Sequence, residues 1–201
     1  MLFRSVYQIS PGTGNLALAA FPQISLSGAN PVGIAADPLG NVVVAYANGS
    51  ADVLQRGTTA GSPFLSVGLA SQSIAIPPPA TGQIPGTLTS VAIDPATELV
   101  YFTYSYPAPT GQNPQAGGVL AYVLTTITGT PTLSELAASP FVALAEPTDI
   151  VIAGGFAYLT DFGANFLSQY SLASATLSPL SPSGQPSGAG PMSVAVTTSY
   201  H

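Results

Sequence analysis

One pattern returns four times along this chain, and it restricts what the chain can fold into more than any other feature. Pro31-Val32-Gly33-Ile34-Ala35-Ala36-Asp37-Pro38 is echoed by Leu88-Thr89-Ser90-Val91-Ala92-Ile93-Asp94-Pro95, by Pro147-Thr148-Asp149-Ile150-Val151-Ile152 and by Pro191-Met192-Ser193-Val194-Ala195-Val196. Each copy is a short β-branched run entered through a turn, the composition of a strand. A second apolar run closely follows the first three copies, at Val42 to Tyr46, Leu99 to Tyr104 and Phe156 to Thr160, so each pair reads as a hairpin. A third element carries a tyrosine within alternating residues: Ser5 to Ser10, Val119 to Leu124 and Phe166 to Leu172. After it come a turn and a weaker, Ser/Thr-rich strand at Gly14 to Leu18, Thr132 to Leu136 and Thr176 to Leu180.

Four antiparallel strands per unit, most apolar at the start and most polar at the end, is the gradient of a propeller blade. Its first strand lies near the axis and its last at the wet rim. The repeat spacings agree: Ile34 to Val91 spans 57 residues, Val91 to Ile150 spans 59 and Ile150 to Val194 spans 44. The shortest matches a blade of roughly 40 to 50 residues, and the longer two carry insertions at Ser71 to Gly86 and Tyr106 to Gly118. The fold class expected is therefore all-β, a partial β-propeller of about three and a half blades. It divides into a blade fragment (1–27), blades 28–86, 87–145 and 146–189, and a closing inner strand (190–201). A propeller hides its sheet edges only by completing the ring. This count therefore predicts the C-terminal part of a longer propeller, with a small closed ring of roughly four blades as the alternative.

Composition narrows the function classes. Only 5% of the 201 residues are charged, two basic and eight acidic, for a net charge of −6. Arg4 and Arg56 are the whole cationic inventory, so nucleic acid, anionic membrane surfaces and phosphorylated substrates are poor partners. The uncharged stretches 57–93 and 99–134 are broken by proline and glycine, which excludes a spanning helix. No cysteine is present, which removes disulfides, thiolate catalysis and Cys-ligated zinc. Residues Met1 to Tyr7 lack the apolar run of a signal peptide. The near absence of cations on outer strands, where lysine discourages edge pairing, predicts self-association through open blade edges.

The quoted repeat, with Tyr158-Leu159-Thr160-Asp161-Phe162-Gly163-Ala164-Asn165 and Thr130-Pro131-Thr132-Leu133-Ser134-Glu135-Leu136-Ala137-Ala138-Ser139-Pro140-Phe141, resembles the seven-bladed lactonase-like propellers. That broad family includes 6-phosphogluconolactonase-type proteins and YVTN surface-protein repeats. The resemblance implies repeat architecture over most of the chain, an extracytoplasmic setting and, as one option, sugar-lactone hydrolysis. It does not by itself imply an activity.

Strand parity sorts the loops onto two faces. Asp37 and Asp94 fall on the turn side, where an Asp before proline closes a tight turn. Tyr106, Asn48, Glu146, Asp149, Asp161 and Asn165 fall on or near the opposite face, where propellers commonly hold a ligand. Tyr106, Glu146, Asp149, Asp161 and Asn165 are the candidate ligand-binding residues. Asp161 and Asn165 also suit a purely structural reading, a hairpin loop closed by side-chain bonds to backbone. No metal site is expected, because Glu146, Asp149 and Asp161 come from one unit and its entry loop, and calcium needs about six to eight oxygen ligands. No cofactor is expected either: segment 184–190 lacks the lysine and following helix of a phosphate cradle. The one histidine, His201, is the final residue, a poor base for a serine triad. Tyr7, Tyr122 and Tyr170 share one repeat position and are expected to pack between blades. The function expected is a non-catalytic binding or scaffolding module of an exported or envelope protein, meeting a protein or glycan ligand on its loop face. A lactone hydrolase with catalytic residues mostly in other blades is the alternative.

Overall fold

The computed structural model describes residues 3–9, 12–56, 64–79, 84–108, 116–125, 130–173 and 176–197. They form an all-β partial propeller of antiparallel sheets. The first sheet holds β1 (Phe3–Ile9) and β2 (Leu16–Ser25). The first full blade holds β3 (Pro31–Ala36), β4 (Val42–Tyr46), β5 (Ser50–Arg56) and β6 (Phe64–Ser73) in that spatial order. The second holds β7 (Thr87–Ile93), β8 (Leu99–Ser105), β9 (Ala116–Thr125), β10 (Thr132–Glu135) and β11 (Phe141–Ala145). The third holds β12 (Pro147–Ala153), β13 (Phe156–Asp161), β14 (Phe166–Ala173) and β15 (Thr176–Pro186).

The three repeated runs become the inner strands β3, β7 and β12, and β7 lies between the other two. Each carries an irregularity at one repeat position, Val32, Thr89 or Thr148. The register slips between Pro31 and Gly33, between Leu88 and Ser90, and between Pro147 and Asp149. A bulge at one repeat position bends every inner strand alike and increases its local twist. It also fixes side-chain direction beyond the bulge. Val91 and Ile150 face the preceding blade and are 5% and 2% exposed, while Gly33, Ser90 and Asp149 face the following one. A Cβ on Gly33 would lie 2.9 Å from the Val91 amide nitrogen, so the first two blades approach closely because this residue has no side chain.

The core therefore lies between blades. Val43, Ala45, Ala51 and Val53 pack with Val91, Ile93, Phe102 and Tyr122 across the first seam. Tyr101, Val119 and Ala121 pack with Ile150, Leu159 and Tyr170 across the second. Tyr122 and Tyr170 do pack between blades as the repeat position predicts; Tyr122 also accepts a hydrogen bond from the Ala75 amide of the preceding unit at 2.9 Å. The side chain of Tyr7 lies outside the described residues.

Three details differ from the sequence expectation. β5 and β6 stand where no strand had been singled out, and β6 runs into the stretch expected to loop out from Ser71. The outer edge of the second blade is split: β10 pairs with Tyr122–Thr125 and β11 with Ala116–Val119, both on the side of β9 away from β8. Last, Pro191 to Thr197 takes the place of a further inner strand beside β12 but forms no ladder. Among the described residues side chains hold it. The Thr148 hydroxyl donates to the Pro191 carbonyl at 2.9 Å, as the Thr89 hydroxyl donates to that of Pro147 at 2.8 Å.

Candidate functional site

The bulged inner strands stand side by side around an open groove of about 400 Å³, lined by Val32 to Ala36, Ser90 to Ile93 and Asp149 to Ile152. Among the described residues each inner strand ladders with one partner only, β4, β8 or β13, so its other edge carries backbone donors and acceptors that face the groove.

Asp149 is the one charged side chain in this lining. Its Oδ1 accepts from the Ser90 hydroxyl of the preceding blade at 2.8 Å and from the Ile150 amide at 2.9 Å. Its Oδ2 accepts from the Ser193 hydroxyl at 2.7 Å and from the Val194 amide at 3.1 Å. A carboxylate offers about four acceptor sites, and all four are taken. Asp149 thus ties three successive inner-strand positions into one seam. Gly33, Ser90, Asp149 and Ser193 occupy the same column of the repeat, the signal by which Ser90 and Ser193 could have been found in the sequence.

The other candidates sit as follows. Asp161, only 4% exposed, accepts from the Ala145 amide at 3.0 Å and the Ala164 amide at 3.3 Å. It closes the β13–β14 loop onto the chain entering β12, where the Phe162 amide also donates to the Glu146 carbonyl at 3.0 Å. This is the structural arrangement that the loop's composition allows. Glu146 itself has a φ of 79°, and Asn30 and Gly190, which precede the inner-strand prolines elsewhere, have φ of 56° and 63°. A left-handed residue before proline recurs at these blade entries, and Glu146 is the residue type least suited to it. Asn165, with φ 59°, accepts from the Gly190 amide through Oδ1 at 2.7 Å. Glu146, Asp149, Asp161 and Asn165 therefore gather in the third blade. Tyr106 belongs to the second, and its hydroxyl donates to the Pro77 carbonyl at 2.8 Å. Burial pushes the Tyr106 hydroxyl pKa up, and a hydrogen bond with Tyr104 works the other way. Asn48 Oδ1 accepts from the Ser50 hydroxyl at 2.7 Å within its own turn.

On the turn side, Asp37 accepts from the Asn41 amide at 2.8 Å, and Asp94 from the Thr97 hydroxyl at 2.6 Å and the Ala96 amide at 3.1 Å. Both do the turn-closing work expected of an Asp before proline. Asp52 was missed by sequence reasoning. It is fully buried, accepts from the Tyr46 hydroxyl at 2.7 Å and the Ser27 amide at 2.7 Å, and is bonded by the Ser27 hydroxyl. Among the described residues no group of three His, Cys, Asp or Glu side chains is close enough to hold a metal ion. The side chains of Arg4 and Arg56, and His201, lie outside the described residues.

No protein-family profile matches the chain, and no curated protein does. Among solved structures it is similar to a crystal structure of a Lactobacillus plantarum protein, a structural-genomics target, at 16% identity and a TM-score of 0.61. That likeness shows the fold. The match covers 94% of this chain and 50% of the other, so this chain spans about half the length of the structure it matches. No helix among the described residues is long and apolar enough to cross a membrane.

Proposed function

We propose that this chain is a non-catalytic binding module of an exported or envelope-associated protein, taking a protein or glycan ligand at the groove between its inner strands. The observation that carries this reading is the pairing of an open groove with a fully committed carboxylate. A general base or metal ligand needs a lone pair to spare, whereas Asp149 accepts four bonds from its own chain. The groove is lined by the inner strands on the edge that forms no ladder, with small side chains such as Ala36 among them. Extended backbone and sugar hydroxyls are the chemistries that match such an edge. An exported setting is supported by the lysine-free, Ser- and Gly-rich composition.

The test is a glycan array and a protein-capture screen run with the parent chain and with Ala36→Trp. Ala36 is an exposed residue of the groove lining on the face it shares with Ile34, so an indole there crowds the groove's rim without entering the core. Ligands of the parent should lose at least tenfold in affinity for the variant. Equal binding by both would remove the groove from the reading. Turnover of sugar lactones that disappears in Asp149→Asn would replace the reading with a hydrolase.

A further inference from the structure

The β4–β5 turn carries the chain's one Asn-Gly pair, Asn48-Gly49. Tyr46 pairs with Ser50 across it, so three residues make the turn, and the Gly49 amide donates to the Tyr46 carbonyl at 3.1 Å. Gly49 has a φ of 80°. A three-residue hairpin loop of this kind ends on a left-handed residue, a position that glycine fills without strain. The fold therefore asks for glycine directly after Asn48, and that glycine sets a peptide nitrogen with no side chain around it beside the Asn48 carboxamide.

The carboxamide is also prepared for attack. Asn48 is exposed, and its Oδ1 accepts from the Ser50 hydroxyl at 2.7 Å and from the Ser50 amide at 3.2 Å. Both donors lie two residues on, so they turn the side chain toward the peptide that follows it. Two donors on one carbonyl oxygen draw electron density from Cγ, and they stabilise the negative charge that an attacking nitrogen pushes onto that oxygen. The other asparagines lack this combination. Asn41 is buried, donates from Nδ2 to Asp37 at 2.6 Å and precedes a β-branched valine. Asn15 and Asn165 precede leucine and phenylalanine, while Asn30 and Asn113 precede proline, which has no N–H to lose.

We infer that Asn48 is a self-modifying site, at which the chain converts its own asparagine to aspartate and isoaspartate. The Gly49 amide releases the Tyr46 carbonyl and gives its proton to a base in the solvent, and its nitrogen bonds to Asn48 Cγ. The Cγ–Nδ2 bond breaks and Nδ2 leaves as ammonia, taking a proton from water, so that a five-membered succinimide remains. Water then adds to one of the two ring carbonyls and opens the ring, to aspartate on one side or isoaspartate on the other. The sum is one water consumed and one ammonia released, with no change of oxidation state. Either product adds a negative charge to a chain that already carries −6. Isoaspartate does more, because it lengthens the backbone by one carbon within a tight turn. The Gly49 carbonyl accepts from the Ile74 amide at 2.8 Å, and a Cβ on Gly49 would lie 3.3 Å from Ile76 Cδ1. The segment seated there goes on to bond the Tyr122 and Tyr106 hydroxyls of the second blade through Ala75 and Pro77. Conversion at Asn48 therefore loosens the seat of a segment that ties the first two blades together.

The test ages the 201-residue chain in mildly alkaline buffer and maps its peptides by mass spectrometry, with isoaspartate methyltransferase labelling as a second readout. Asn48 should convert well before Asn41 and Asn165. Ser50→Ala removes one donor from Oδ1 and should slow the conversion by about tenfold or less, short of the ~10²–10³ of an enclosed oxyanion hole because this turn faces water. Ser50→Thr keeps the hydroxyl and should keep the parent rate. The isoaspartate fraction, separated by its charge, should exchange the Ile74 amide hydrogen faster than the unconverted fraction does. Three results overturn the inference. Asn48 converting no faster than Asn41 or Asn165 removes the site. Ser50→Ala converting as fast as the parent, or faster, makes the Ser50 bonds a restraint on the turn instead of an aid to attack. Equal exchange at Ile74 in both fractions removes the coupling to the second blade.

Discussion

Tyr101 is fully buried on β8, and its hydroxyl is the one described buried side-chain polar atom without a hydrogen-bond partner. A hydroxyl removed from water without compensation costs stability, so Tyr101→Phe should raise the unfolding free energy, by about 1 kcal/mol. Burial first, and the Asp94 carboxylate second, push the Tyr101 pKa up to about 12, and burial with the neighbouring Tyr106 does the same for Tyr104. In the unfolded chain both titrate near 10. Between these values the unfolded state binds fewer protons than the native one, so stability falls as pH rises. It should be level below about pH 10 and drop between about 10 and 12, with a shallower drop in Tyr101→Phe because one of the shifted tyrosines is gone. Urea unfolding across that range measures both effects, and a variant less stable than the parent at neutral pH would show that the hydroxyl does find a partner. Residues of this kind were only partly legible in the sequence. Asp37 and Asp94 precede proline in a turn, and local chemistry alone assigns them. Asp52 could not be found that way, because its donors include Ser27, 25 positions away, brought close by the chain entering the blade.

At the scale of the element, the inner strands were legible because the same physical demand acts on each. β7 is packed on both faces between β3 and β12, and the same β-branched and small residues recur in all three. β5 and β6 were harder to see, since Ser50-Ala51-Asp52 and Leu69-Ala70-Ser71 mix small polar and apolar residues without a repeat partner to compare. The bulge was invisible too, although its contents recur. Thr89 Oγ1 lies 2.8 Å from both Thr103 Oγ1 and the Pro147 carbonyl, and Thr148 repeats this with Thr160 and Pro191. In the first blade the equivalent pair is Val32 and Ala45, which pack into the seam instead. That internal comparison yields a prediction. Thr89→Val should cost about 1–2 kcal/mol, since it leaves the Thr103 hydroxyl and the Pro147 carbonyl without this partner. Thr103→Ala should cost about 1 kcal/mol. The double variant recreates the Val/Ala pair and should lose less than the sum of the two, by about 0.5–1 kcal/mol. Strict additivity in a double-mutant cycle would mean that the two hydroxyls do not act as a pair.

For the whole molecule, the repeat identified the architecture but not the order of stability within it, because that depends on which blades have neighbours. The second blade has one on each side, and all seven residues of β8 are buried. The first blade has its inner strand open at Ile34. The third ends in β15, much of it exposed, and is flanked at its axis only by the unladdered segment from Pro191. In a stack of blades that contact only their neighbours, local opening should begin where a neighbour is missing and reach the middle last. Native-state hydrogen exchange should therefore find the slowest amides in β8 and in the stretches of β7 and β9 paired to it. Among the three full blades β15 should exchange fastest, with β3 and β4 between. If β3, β8 and β15 all exchange at one common rate, the blades open together as a single cooperative unit, and the arrangement of neighbours does not grade their stability.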